Sequence, residues 1–131
     1  MIKIFSKFKI IFYSINFFLI FLYLFPGSIF GWIFYGDKNI QPQITPNFVI
    51  SSNHFYVFIL ISVIGFLSFI KAKQNKLLIF YLISLSIILE ILHLTIPERS
   101  FQWSDLFGNL LGVMIVISVK NLINKYEIFK K

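Results

Sequence analysis

The sequence predicts an all-α, polytopic membrane protein with four transmembrane helices and both termini in the cytoplasm. Three observations predict this fold class. The 131 residues are 58% hydrophobic and 13% charged, with a mean hydropathy of +0.85, which is not the composition of a soluble domain. The apolar residues form long blocks instead of the spaced stripes of amphipathic helices. The basic residues lie in short clusters between those blocks, as topology signals do.

Four apolar blocks are long enough to be membrane spans. A hydrocarbon core about 30 Å thick takes roughly 20 helical residues, and blocks near that length are bounded here by charge or by proline and glycine. The blocks do not alternate apolar with polar residues, so in lipid they can satisfy their backbone hydrogen bonds only as helices. The predicted spans of this single domain, residues 1–131, are about 9–25, 52–70, 77–96 and 104–122, and the segment from Pro26 to Ser51 is predicted to be an outer loop.

The basic residues divide unequally when the four spans are threaded alternately through a membrane. One side carries Lys3, Lys7, Lys9, Lys71, Lys73, Lys76, Lys120, Lys125, Lys130 and Lys131. The other side carries only Lys38 and Arg99. Lysine and arginine favour the cytoplasmic side, so we expect an inner-membrane protein with both termini in the cytoplasm. No A-x-A-like cleavage site follows the first block, which favours an uncleaved helix over a signal peptide.

Several function classes lack support in the sequence. The absence of cysteine excludes disulfides, thiolate metal sites and a cysteine nucleophile. The net charge of +7 does not indicate nucleic-acid binding, because the basic residues form no continuous stripe. There is no G-x-S-x-G, phosphate-binding glycine loop, H-E-x-x-H or zinc-finger spacing. The sequence thus predicts no cofactor and no nucleic-acid partner; the partner it predicts is the lipid bilayer.

Glu90 and His93 are the most informative polar residues because they lie inside the third block. A charged side chain at the centre of a span costs about 3 kcal/mol unless it is paired or near water. The two residues share a helical face. They are either a pair at the level of the membrane interface, hydrogen-bonded to each other or reaching water, or functional groups. Glu-x-x-His is also a metal-ligand spacing, but four-helix di-metal proteins carry it on two helices with two further glutamates. It occurs once here, so no metal site is predicted.

The turn after the third block and the start of the fourth supply further candidates. Ser104 or Asp105 is placed to cap the fourth helix. Asp105 and Asn109 lie four residues apart and therefore share a face. We expect one pocket to hold both of them and the nearby ionisable residues, with Arg99 as the counter-ion of two carboxylates. The predicted members are Glu90, His93, Arg99, Asp105 and Asn109. A purely structural polar network fits the same residues.

The second and fourth blocks carry two more signals. His54 follows Ser51, Ser52 and Asn53 at the polar start of the second block, where it is either an interface or capping residue or another member of the pocket. On the fourth block, G-x-x-x-G permits close helix approach and favours internal packing over a dimer contact. Its two residues are Gly108 and Gly112. The oligomeric state stays open.

Residues 88–112 carry a recognisable combination of motifs. They hold a Glu-x-x-His, a turn with proline and arginine, and an Asp-x-x-x-Asn-x-x-Gly, formed by Glu90, His93, Pro97, Arg99, Asp105, Asn109 and Gly112. This combination resembles the VanZ-like family, whose pattern has Glu-x-x-Gln at the first motif. Two departures are His93 in place of that glutamine and Ile50-Ser51 in place of the Asp-Lys pair that precedes the second-helix histidine. The resemblance implies a small polytopic bacterial membrane protein. The family is named for a member associated with teicoplanin resistance, but the resemblance does not imply drug resistance here.

Three functional hypotheses follow. The leading one is a multi-pass inner-membrane protein whose outer-face polar pocket binds or acts on a cell-envelope component, either a lipid head group or a lipid-linked sugar. The second is a membrane enzyme that uses Glu90 and His93 as an acid and base pair. The third is a structural or accessory subunit whose polar residues only pack helices together. A transporter is less favoured, since four spans leave little room for two gated halves.

Overall fold

The computed structural model describes residues 2–129 and shows a helical chain with no strand in that range. Its helices are α1 (Ile2–Leu24), α2 (Ile29–Tyr35), α3 (Ser52–Ser68), α4 (Ala72–Leu92) and α5 (Trp103–Phe129). A single 3₁₀ turn, His93–Thr95, continues α4. The all-α prediction is confirmed, and α1, α3, α4 and α5 coincide with the four apolar blocks.

Two helices within residues 2–129 are long and apolar enough to cross a membrane. They are α4 with its 3₁₀ turn, over Lys73–Thr95, and α5, over Trp103–Tyr126. A third candidate is the pair Phe8–Leu24 and Ile29–Tyr35, which bends by 74° at its break. The apolar helix α3 is shorter, at 17 residues. The lengths and composition of these helices are compatible with a membrane protein.

The segment between the first two blocks, expected to be a loop, contains α2. Its first turn is capped by Ser28, whose Oγ accepts a hydrogen bond from the Gly31 amide at 3.0 Å. It ends at Gly36, whose φ of +69° gives the left-handed conformation common after a helix. Gly27, also at positive φ, makes the turn between α1 and α2. The loop prediction was wrong for residues 29–35 because these caps stabilise a short helix between glycines.

The rest of that segment is tied to the start of α3. Gln43 Oε1 accepts hydrogen bonds from the backbone amide and the hydroxyl of Ser52, both at 3.1 Å. Asn53 Oδ1 accepts from the Ile44 amide at 2.8 Å, and Asn53 Nδ2 donates to the Pro42 carbonyl at 2.6 Å. A side chain from the loop thus satisfies an α3 amide that has no partner inside the helix.

The core runs along the contacts of α1, α3, α4 and α5. The most extensive contact is between α3 and α5, while α1 packs on α3 and α4 packs on α5. The buried apolar core consists of Phe12, Leu19, Tyr23, Phe58, Ile61, Leu78, Leu82, Leu85, Leu89 and Val113. Large apolar side chains also cover the outside of the helices, including Phe17, Phe18, Phe80 and Met114, all more than half exposed. Such an apolar exterior suits a lipid environment.

The two ends of the bundle differ in charge. At the lysine end, where α3 finishes, the Nζ of Lys9 lies 5.6 Å from the ring centre of Phe69 and the Nζ of Lys120 lies 4.0 Å from that of Phe66. The opposite, polar end holds the start of α3, the end of α4 and the start of α5. Outside the described residues are Lys130, Lys131 and the side chains of Lys3, Lys7 and Glu127.

Candidate functional site

The polar end contains a buried polar cluster assembled from four helices. It includes His54 of α3, Glu90 at the end of α4, His93 in the following turn, and Asp105 and Asn109 of α5, all predicted from the sequence. These side chains are buried; Glu90 and Asn109 expose no surface, and His54 exposes only 8%. Tyr23 of α1, which the sequence did not single out, completes the cluster.

Two glycines bring α5 against the backbone of α3. A Cβ on Gly108 would lie 2.8 Å from the Ser51 carbonyl oxygen, and a Cβ on Gly112 would lie 2.6 Å from that of Phe55. Real Cβ atoms essentially never approach so closely, so only glycine allows this helix contact. The G-x-x-x-G pattern therefore packs helices within the chain.

This helix contact places His54 beside Asp105. His54 Nε2 lies 3.4 Å from Asp105 Oδ2. The other ring nitrogen, Nδ1, lies 3.2 Å from Asn109 Oδ1. Both polar atoms of the imidazole thus face oxygen atoms of α5. His54 is a member of the cluster rather than a cap at the membrane interface.

Asn109 links α3 and α5 to the other two long helices. Its Oδ1 accepts a hydrogen bond from the Tyr23 hydroxyl at 2.7 Å, and its Nδ2 donates to the Ser86 carbonyl of α4 at 3.3 Å. Together with the contact to His54, these bonds fix which end of the amide faces the imidazole. Asn109 is the residue through which α1, α3, α4 and α5 are joined.

Glu90 and His93 are engaged with the backbone of other elements. Glu90 Oε1 accepts a hydrogen bond from the Gln102 amide at 2.8 Å, immediately before α5. His93 Nε2 lies 3.0 Å from the Tyr23 carbonyl oxygen, and its Nδ1 lies 3.3 Å from Glu90 Oε2. Since the two residues are at most 1% exposed, the predicted alternative of a pair that reaches water is wrong. They are inside the bundle.

The first turn of α5 differs from the predicted cap. The Gln102 carbonyl accepts from the amides of Asp105 and Leu106, so the helix starts before either predicted capping residue. Ser104 Oγ donates to Asp105 Oδ1 at 3.2 Å, within that first turn. The prediction that Ser104 or Asp105 caps α5 was wrong. Glu90 instead reaches across from α4 to an amide at the helix start.

Arg99 binds the end of α1 rather than the carboxylates. Its Nε donates to the Phe25 carbonyl and its Nη2 to the Leu22 carbonyl, both at 3.2 Å. Among the described residues, no carboxylate oxygen lies within 4.0 Å of an Arg99 nitrogen, so the predicted ion pairs were wrong. The last carbonyls of a helix lack partners within it, and the guanidinium supplies donors to them. Burial lowers the pKa of Arg99, while the negative charge of Asp105 opposes that effect.

A cavity of about 490 Å³ lies beside the cluster, between the end of α1, α2 and the start of α3. Its polar lining includes Arg99, His54, Tyr23, Asn53 and Gln43. Its apolar lining includes Leu22, Ile29, Phe30, Phe34 and Val57. The lining thus combines hydrogen-bonding groups and a guanidinium with apolar side chains that suit a hydrocarbon chain. The predicted candidates that line it are Arg99 and His54; Glu90, His93, Asp105 and Asn109 lie deeper in the bundle or on its other side.

Three cluster residues have the geometry of possible metal ligands. One ligand atom each of His54, Glu90 and Asp105 lie within 4.8 Å of one another. The residues come from three different helices, so no spacing in the sequence relates them. His93 is not in this group, although it forms the Glu-x-x-His pattern with Glu90.

Tyr23 and Ser86 are the cluster partners that sequence reasoning missed. A tyrosine three residues before a proline at the end of a span is typical of an aromatic at the membrane interface, so its position gave no sign of burial. Ser86 takes part through its backbone carbonyl, for which the sequence carries no signal.

Comparison of the chain with protein-family models, curated proteins and solved structures gives no match. The VanZ-like resemblance stays a prediction.

Proposed function

We propose that this chain is a multi-pass inner-membrane protein that binds the anionic head group of a cell-envelope lipid or lipid-linked sugar. The ligand would occupy the 490 Å³ cavity at the polar end. In this proposal α1, α3, α4 and α5 are four spans, both termini are cytoplasmic, and the polar end is the outer end. The VanZ-like resemblance agrees with a role at the cell envelope.

The charge difference between the two ends supports this topology. Lys9 and Lys120 lie beside the end of α3, where Lys71 and Lys73 follow directly in the chain. At the polar end the basic residues are Lys38 and Arg99. A lysine-rich end favours the cytoplasm. At 17 residues, α3 is at the lower limit for a span, and its neighbours α4 and α5 exceed that length.

The lining of the cavity carries the proposal of an anionic ligand. A guanidinium has five N–H donors, and the two carbonyl bonds of Arg99 use one on Nε and one on Nη2. The remaining donors match the oxygens of a phosphate or carboxylate, which the planar group binds with two parallel hydrogen bonds. The same carbonyl bonds hold the guanidinium in place before a ligand arrives, which lowers the entropy that binding costs.

The rest of the lining indicates an amphipathic ligand. Gln43 lines the cavity, and the Nε2 of its amide, unlike the Oε1 that accepts from Ser52, can donate to a sugar or glycerol hydroxyl. Leu22, Phe30 and Phe34 form an apolar surface on the same cavity. Phe30 and Phe34 stack with their rings 6.3 Å apart and 11° from parallel. An acyl or polyprenyl chain would contact this surface while its head group reaches Arg99.

Native mass spectrometry of the full chain, released from nanodiscs of bacterial lipid extract, tests the proposal. We expect a phospholipid or lipid-linked sugar adduct on wild type, and at least about tenfold weaker binding for Arg99→Lys, equal to about 1.4 kcal/mol. Lys38→Ala is the matched control, because it removes the other basic residue of this end and should keep binding within about twofold. Equal adducts on folded wild type and Arg99→Lys would contradict the proposal.

A structural or accessory role is the second candidate, and the hydrogen bonds of Asn109 favour it. They join four helices through a side chain with no exposed surface. This role predicts that Asp105→Asn lowers the yield of folded protein and that no lipid adduct depends on Arg99. The acid and base hypothesis has less support, because a substrate has no access to Glu90 or His93 at their present burial.

A further inference from the structure

We infer that His54, Glu90 and Asp105 form a binding site for a divalent transition-metal ion, with Zn²⁺ as the ion to test. The inference goes beyond the proposed lipid binding and does not depend on it. An imidazole and two carboxylates are ligands that zinc and its neighbours accept. The three residues converge from α3, α4 and α5, with a ligand atom of each within 4.8 Å of the others.

The separation of the first two ligands already suits a tetrahedral ion. Zinc binds imidazole nitrogen and carboxylate oxygen at about 2.0–2.2 Å, so two tetrahedral ligands lie about 3.3–3.5 Å apart. His54 Nε2 and Asp105 Oδ2 are 3.4 Å apart. The packing of Gly108 and Gly112 on the α3 backbone holds these two atoms at that distance. The helix contact therefore builds this half of the site.

The surroundings of His54 orient it as a metal ligand. Metal-binding histidines usually donate their other ring N–H to an oxygen, which leaves the ligating nitrogen with a free lone pair. Asn109 Oδ1, 3.2 Å from His54 Nδ1, is such an oxygen. Bonds to the Tyr23 hydroxyl and the Ser86 carbonyl set the orientation of that amide. With the proton on Nδ1, the lone pair of Nε2 points to the side where Asp105 lies.

Glu90 supplies the independent sign that a cation is expected. Its Oε1 is held by the Gln102 amide, whereas its Oε2 has no hydrogen-bond partner among the described residues, and the side chain is fully buried. His93 Nδ1 lies 3.3 Å from Oε2, at ion-pair distance but without the geometry of a hydrogen bond. A buried carboxylate oxygen without a partner is costly, and buried carboxylates are usually paired or bound to metal. A divalent ion would satisfy Oε2 and balance both carboxylates.

The ligand set also selects the kind of ion. Magnesium, calcium and manganese prefer oxygen ligands, while an imidazole nitrogen favours zinc, copper, iron or nickel. Three protein ligands leave a coordination position for water or a further ligand. A second cavity, of about 190 Å³, reaches Asp105 from the side of Gln102 and Ser104 and offers an entry path. The sequence argued against metal because Glu-x-x-His occurs once. The histidine of the inferred site is instead His54, which comes from another helix.

The test uses the full chain, purified without a histidine tag, stripped with chelator and placed in nanodiscs. Zinc content after equilibrium dialysis should reach about one ion per chain, and Co²⁺ should give the intense visible absorption of a tetrahedral site. His54→Gln and Asp105→Asn should each lower zinc affinity at least about 100-fold, and Tyr23→Phe, which frees the Asn109 amide, about tenfold. The matched control Glu98→Gln removes an exposed carboxylate near the same end and should change affinity less than twofold.

Several results would overturn the inference. If folded wild type binds no zinc at a saturating concentration, the inference is wrong. It is also wrong if the His54→Gln and Asp105→Asn proteins fold and bind zinc with the affinity of wild type. If both variants fail to fold, the wild-type Co²⁺ spectrum decides, since an octahedral spectrum contradicts the site. Arg99→Lys should keep zinc binding, so failure of the lipid proposal and failure of this one give different results.

Discussion

Gly112→Ala tests whether the α3 and α5 contact is as close as the structure describes. The added Cβ would lie 2.6 Å from the Phe55 carbonyl oxygen and 3.0 Å from Phe58 Cβ, so a backbone has to move. Overpacking of this kind costs about 1–3 kcal/mol, while the helix propensity of alanine over glycine returns about 1 kcal/mol. We expect Gly112→Ala to lower the free energy of unfolding by up to about 2 kcal/mol.

Gly65→Ala is the matched control, since it makes the same substitution within α3. Its Cβ would meet the two Cδ atoms of Leu78 at 3.0 Å and Cε2 of Phe12 at 3.1 Å, which are side-chain ends rather than backbone. We expect this variant to be close to neutral or slightly stabilised. Unfolding of both variants by a denaturing detergent in mixed micelles gives the comparison. A Gly112→Ala protein at least as stable as Gly65→Ala would refute the close helix contact and, with it, the origin of the His54 and Asp105 geometry.

Two further predictions concern the cap of α5 and the topology. Glu90→Leu removes the hydrogen bond from the Gln102 amide to a buried carboxylate and should destabilise the fold by about 1–3 kcal/mol in the same unfolding assay, whereas Ser104→Ala should stay within about 0.5 kcal/mol. Similar losses for the two variants would contradict the cap described here. Because the sequence has no cysteine, single Asn39→Cys and Asn124→Cys variants report topology with a membrane-impermeant maleimide. Both positions are exposed, and we expect intact cells to be labelled at position 39 but not at position 124. Labelling at position 124 alone would show the opposite orientation.

The helices were predictable because their apolar blocks are long and sharply bounded. Pro26 and Gly27 mark the end of α1 by removing a donor and permitting positive φ, and both effects are local. α2 was not predictable in the same way, because its seven residues lie among glycines and depend on the side-chain cap from Ser28. A short helix of this kind has too little periodicity to distinguish it from a loop.

The members of the cluster were predictable, but their partners were not. Spacing along one helix placed Glu90 with His93 and Asp105 with Asn109, since residues three or four apart share a face. Contacts between helices depend on rotation and approach, which single-helix spacing does not contain. Arg99 therefore found the carbonyls at the end of α1 instead of a carboxylate, and Tyr23 joined Asn109 across 86 residues of sequence.

The central claim is that the cavity beside Arg99 binds an anionic envelope lipid, and a paired lipid titration tests it most directly. Wild type and Arg99→Lys, each in nanodiscs, are titrated with a phosphate-bearing envelope lipid and with a neutral lipid of the same chains. We expect wild type to prefer the phosphate-bearing lipid by at least about tenfold and Arg99→Lys to lose this preference. Equal affinity of folded wild type for the two lipids would contradict the central claim.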